Sequence, residues 1–185
     1  IEYGQVANAQ KAGLFGKFGG SKTGTNDEFI KDLTLDGVTI KGCTKAQGDK
    51  EYVGVGALVG YAIPGCVIEN VKVLNANIEG NRMVGGIVGA GYVTIKNCVV
   101  DGFTLTCVPN QLADGTYDNG DKVGGIIGQE TEEAHNLEGN TVMNGTIKAY
   151  RDLGGIVGNF NTDKGKMLNN TVKNVDIIAT SPNNY

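Results

Sequence analysis

Five blocks along the chain carry apolar residues at relative positions 0, 3, 5, 8 and 10. They are Ile30, Leu33, Leu35, Val38, Ile40, then Ile68, Val71, Val73, Ala76, Ile78, then Ile95, Cys98, Val100, Phe103, Leu105. The last two admit polar or small residues: Leu137, Asn140, Val142, Gly145, Ile147 and Met167, Asn170, Val172, Val175, Ile177. Steps of three, two, three and two exclude a continuous helix, whose apolar face needs steps of three and four, and fit short strands of period two joined by tight bends. The residue before each relative position 3 is Asp32, Asn70, Asn97, Gly139 or Asn169. These residue types tolerate left-handed backbone, so a bend is expected there.

A second, Gly-framed block recurs ahead of each of these. It reads Ala12-Gly13-Leu14-Phe15-Gly16, Gly56-Ala57-Leu58-Val59-Gly60, Gly85-Gly86-Ile87-Val88-Gly89, Gly124-Gly125-Ile126-Ile127-Gly128 and Gly154-Gly155-Ile156-Val157-Gly158. One strand here plus two in the block above makes about three strands per unit. The closing Gly recurs after 29 residues from 60 to 89 and after 30 from 128 to 158. The pattern predicts an all-β chain, a right-handed parallel β-helix (solenoid) of about five coils with three short strands each. Five coils would stack to about 24 Å at the spacing of hydrogen-bonded strands. The closing glycines are expected to release the chain into corners. Both central columns of this block are apolar, although strand neighbours point to opposite faces. One column should therefore face outward unless a bulge intervenes, which makes Ile87, Val88, Ile126, Ile127, Ile156 and Val157 a candidate contact face.

Composition removes alternatives. Thirty Gly in 185 residues would burden a helical fold by about 1 kcal/mol each relative to Ala, while three Pro and 40% hydrophobic residues fit neither collagen nor disorder. The net charge is −4 with no block of Lys or Arg, so nucleic acid is not an expected partner. No run is long and apolar enough for a membrane-spanning helix. Residues 1–185 read as a single solenoid domain, expected to be part of a larger chain with coils or domains upstream.

Candidate chemistry is sparse. Of the successive patterns of polygalacturonase-like β-helix enzymes only Asn161-Thr162-Asp163 occurs, and His135, the sole histidine, stands in a polar stretch and reads as a solvated corner residue. Asp114, Asp118 and Asp121 surround Asn119-Gly120 and make calcium the one metal worth naming, against the plainer reading of a solvated acidic loop. No other cofactor is expected. Cys43, Cys66, Cys98 and Cys107 form no Cys-x-x-Cys pair, which disfavours zinc; a Cys43–Cys66 disulfide is open, and free thiols are favoured. Outward columns rich in Thr (Thr39, Asn77, Thr104, Thr146, Asp176 and Thr34, Lys72, Val99, Thr141, Thr171) are ordinary strand propensity rather than an ice-binding array. Surplus length falls in 41–52 and 106–122, the expected partner-facing loops, where Tyr52 and Tyr117 are candidate contacts. Together with Tyr61, Tyr92 and Tyr150 they could stack on sugar rings.

The blocks Ala12-Gly-Leu-Phe-Gly, Val84-Gly-Gly-Ile-Val-Gly, Ile95-Lys-Asn-Cys-Val-Val and Ile30-Lys-Asp-Leu-Thr-Leu-Asp-Gly resemble the GLUG-motif repeats of bacterial surface proteins, among them secreted or lipid-anchored proteins of gut Bacteroidetes. The resemblance implies a scaffold without a shared active site, in an extracellular or outer-surface location. The expected function is a non-catalytic adhesion or binding module for a protein or glycan at the cell surface. A carbohydrate-active β-helix protein is the alternative.

Overall fold

The computed structural model describes residues 11–19, 28–43, 54–111, 113–118, 120–131, 135–162 and 164–180. Three parallel sheets run side by side, and the chain passes through all three before starting the next rung. The first sheet orders Lys11–Ala12, Gly54–Gly56, Arg82–Gly85, Asp121–Gly124 and Arg151–Gly154. The second is built on Val59–Glu69 and Val88–Lys96, flanked by Phe15–Phe18 and Glu28–Lys31 on one side and by Ile127–Thr131, Asn136–Glu138, Val157–Asn161 and Lys166–Leu168 on the other. The third orders Thr34–Asp36 and Thr39–Cys43, then Lys72–Gly80, Val99–Cys107, Thr141–Ala149 and Thr171–Ala179. The described residues form a parallel β-solenoid of five three-sided coils, numbered here from the N-terminal end.

The register follows the sequence columns. Ile30, Ile68, Ile95, Leu137 and Met167 are successive partners, as are Ile40, Ile78, Leu105, Ile147 and Ile177. In coils two to four these side chains are wholly buried, and they stack along the axis into one continuous core. The Thr-rich columns also lie in register, Thr39 with Asn77, Thr104, Thr146 and Asp176, and they face outward or are half-buried.

The expected corner is present: Asp32, Asn70, Asn97 and Asn169 have φ between 52° and 57°, and Gly139 has 66°. A second corner obeys the same rule at the next three-residue step, with Gly37, Asn75, Gly102, Asn144 and Asn174 at positive φ. Side-chain amides tie these corners together between coils. Asn75 Nδ2 donates to Asp36 Oδ1 and Asn144 Nδ2 to Asp101 Oδ1, each at 2.8 Å. Because alanine has neither that amide nor ease in left-handed backbone, Asn144→Ala should lower stability by about 1–2 kcal/mol, and Asn144→Gly by less. Urea denaturation of both variants measures the difference, and equal losses would argue against conformational strain as the cause.

The Gly block departs from expectation. The chain bends at Gly86 and Ile87, between Arg82–Gly85 and Val88–Lys96, so the corner falls inside the block and neighbours need not alternate. Leu58, Val59, Ile87, Val88, Ile126 and Ile127 are all 0% exposed. The candidate contact face is thus interior in the middle coils, and Ile156 and Val157 are half-buried because they belong to the last one. In coils two to four one carbonyl serves two donors at this corner: Ile87 N and Val88 N both reach Ile126 O, at 3.0 and 3.1 Å. The closing glycines do not turn the chain either. A Cβ on Gly89 would stand 2.1 Å from Val55 N, so this glycine lets the second sheet press against the backbone of the first.

Candidate functional site: a hairpin rooted in the fourth coil

Past Cys107 the chain leaves the third sheet. Val108 N still bonds Gly80 O at 2.8 Å, and then Asn110–Gln111 pairs antiparallel with Tyr117–Asp118. The tip, 113–117, is exposed. Asp114 closes it, its Oδ1 accepting from Thr116 Oγ1 at 2.6 Å and Thr116 N at 2.9 Å, with Gly115 at φ 82°. Those two bonds, the hydroxyl's first, hold the Asp114 carboxyl below its ordinary value.

The base of the hairpin is sewn into the stack. Gly120 N donates to Asn81 O of coil three at 2.7 Å, and Gly120 O accepts Tyr150 N at 2.8 Å from the end of coil four. The Tyr117 ring lies 6.3 Å from that of Tyr150, which is buried. Next along the rung, Asp121 stands in register between Arg82 and Arg151. Its side chain is 4% exposed and faces Lys122 Nζ at 3.2 Å, Arg82 Nε at 3.5 Å and Arg151 Nη2 at 3.5 Å. Three cations around one buried carboxylate compensate its lost hydration and pin the rung where the hairpin ends.

Two of the three aspartates already have partners in the fold. Asp114 serves its own turn, Asp121 is occupied by cations, and the side chain of Asp118 lies outside the described residues, as does Tyr52. Among the described residues no group of three or more His, Cys, Asp or Glu could hold a metal ion. Thr162 Oγ1 accepts from Lys164 N and Gly165 N, a turn role, and Asp163 lies outside the description.

His135 is not solvated. It is buried, its ring 6.4 Å from that of Tyr92, which stands edge-on to Tyr61 at 6.5 Å, with Lys11 Nζ 5.7 Å above Tyr61. Coil stacking builds this ladder, and it occupies two of the tyrosines considered for sugar stacking. Tyr117, 38% exposed, keeps an accessible ring.

Cys66, Cys98 and Cys107 are free thiols. Burial first pushes Cys66 and Cys98 up to about 12, helped at Cys66 by its bond to Glu28; Cys107, also chiefly through burial, rises well above its ordinary value. Thiols so held stay protonated at neutral pH, which withholds the thiolate that nucleophilic attack needs. The side chain of Cys43 lies outside the described residues.

Sequence reasoning missed two polar features. Asn140, fully buried, and Asn170 form a hydrogen-bonded ladder in an otherwise apolar column. Glu130 is 0% exposed, in register with Gly91 and Phe160 on the second sheet. For both, the available signal was a polar residue aligned with apolar neighbours one repeat away.

No family model matches the sequence, and no solved structure matches it. Halomucin of Haloquadratum walsbyi is 29% identical over 109 residues, covering 59% of this chain and 1% of that protein. The chain is thus similar to a short stretch of a far longer protein.

Proposed function

We propose that the chain is a non-catalytic binding module, secreted or displayed at the cell surface, in which the solenoid is the scaffold and the hairpin of the fourth coil is the contact element for a protein or glycan. The observation that carries this reading is the pairing of an exposed tip, 113–117, with a base fixed to Asn81 and Tyr150 in the stack. A contact loop ordered beforehand loses little freedom on binding. The resemblance to GLUG-motif repeats supports the surface location. Likeness to 1% of halomucin supports a module that serves within a long chain.

A glycan array probed with the wild-type chain and with Tyr117→Ala tests the proposal. The wild type should retain a glycan without releasing new reducing ends. Tyr117→Ala should weaken that binding by about 2 kcal/mol, the scale of an aromatic anchor, with little change in melting temperature. Release of reducing ends would support the carbohydrate-active alternative, and undiminished binding by the variant would remove the hairpin as the contact.

A further inference from the structure

The corner column that opens each third-sheet strand holds Leu33, Val71, Cys98, Asn140 and Asn170 in successive coils. From Val71 onward the backbone N–H of each coil donates to the side chain of the next. Val71 N donates to Cys98 Sγ at 3.4 Å, and Cys98 N to Asn140 Oδ1 at 3.0 Å. Asn140 sends two hydrogens, from N and from Nδ2, to the single oxygen Asn170 Oδ1, each at 3.0 Å. Its other amide hydrogen goes back to Ile95 O at 2.9 Å, just as Asn170 Nδ2 goes back to Leu137 O at 2.7 Å. At Asn170 the relay stops. Its backbone N–H and second amide hydrogen, whose counterparts in Asn140 converge on one oxygen, meet no acceptor among the described residues.

The same face is apolar and open. Met167, Val172 and Ile177 are 48%, 45% and 49% exposed, while their register partners Leu137, Val142 and Ile147 in coil four are 0% exposed. The strands Arg151–Gly154, Val157–Asn161, Lys166–Leu168 and Thr171–Ala179 each stand at the end of a sheet. On the outer corner, Asn174 Nδ2 donates to Asn144 Oδ1 at 3.1 Å, which leaves Asn174 Oδ1 to accept from the next coil.

We infer that this end is a docking face for a sixth coil of the same repeat, one that carries asparagine at the corner column. The side-chain oxygen of that asparagine takes both hydrogens of Asn170, as Asn170 takes those of Asn140. A second copy of this chain, seated head to tail, would bring Leu33 to that position. Leu33 has no acceptor, so both donors would be buried unmet. The coil is recognised by backbone pairing on open edges, by apolar columns and by one amide oxygen. None of this depends on what the hairpin binds.

The test extends the full chain through Thr180 with a copy of residues 151–180, which keeps the 30-residue register by which Thr141 pairs with Thr171. A parallel extension carries leucine at the copy's counterpart of Asn170. Amide hydrogen exchange is then followed residue by residue. The first extension should slow exchange at the Asn170 amide by about tenfold or more, while the leucine version leaves that amide at the rate of the unextended chain. Equal slowing by both extensions, or slowing by neither, would overturn the inference. So would protection of the Asn170 amide in the unextended chain that grows with its concentration, because the occupant would then be a second copy.

Discussion

Replacing Ile87 with lysine is expected to abolish the folded state at room temperature. The Ile87 side chain is 0% exposed, and its neighbours along the column, Leu58 and Ile126, are equally buried. At the corner Ile87 N donates to Ile126 O at 3.0 Å and Ile87 O accepts from Leu58 N at 3.0 Å, so the side chain cannot swing outward without breaking rungs on both sides. An ammonium there has neither water nor a carboxylate, and unpaired buried charges belong to the few substitutions that cost more than about 4 kcal/mol. Against a total stability of about 5–15 kcal/mol, that removes most of what holds a small domain together. Ile177→Lys is the matched control: in register two coils beyond Leu105 but 49% exposed on the terminal face, it should change stability by about 1 kcal/mol or less. Far-UV circular dichroism melts of the two variants decide the matter. A folded Ile87→Lys chain with an unchanged melt would mean that this column faces solvent after all.

That prediction reverses a sequence expectation, and the reason is physical. Alternation holds within a strand, so two adjacent apolar columns imply an outward one only if the Gly block is a single strand. The chain turns at Gly86 and Ile87, and a bend between neighbours lets both point inward. The repeat and its five coils were legible because stacking in register forces equivalent residues into equivalent positions. So was the Asp32, Asn70, Asn97, Gly139, Asn169 corner, since left-handed backbone restricts which residue types can stand there. The second corner follows the same rule through Asn75, Asn144 and Asn174 but escapes a reading that stops at the first.

The site was less legible. Asp121 looks in the sequence like one of three loop carboxylates, yet pairing in the first sheet sets it between Arg82 and Arg151, residues 39 and 30 positions away. No local pattern announces partners at that distance. His135 looked polar for the same reason, and only the neighbouring coil supplies the Tyr92 ring that covers it. In a solenoid the surroundings of a side chain come mostly from the repeat before and the repeat after. A column must therefore be read across coils before a polar residue in it is assigned to solvent, to structure or to a ligand.

Glu130 is the case where that reading has the largest consequence for solution behaviour. Its side chain is 0% exposed, and neither carboxylate oxygen has a hydrogen-bond partner among the described residues. Burial pushes its carboxyl well above the ordinary value of 4.5, and the backbone N–H of Val93 opposes this without reaching hydrogen-bond geometry. The folded chain therefore keeps the proton at pH values where the unfolded chain has released it. The stabilising contribution is fully present below about pH 4.5 and is lost as pH rises toward the raised folded-state value, at about 1.4 kcal/mol per pH unit for one proton. Glu130→Gln keeps the shape and cannot ionise. Its stability should match that of the wild type near pH 4 and exceed it increasingly toward neutral pH. Other carboxylates titrate in both proteins, and with the opposite sign at Asp114, so the difference between the two denaturation curves isolates Glu130. Curves that stay parallel from pH 4 to pH 8 would mean that the carboxylate is solvated or paired in the native state, and the burial of this column in the fourth coil would have to be redrawn.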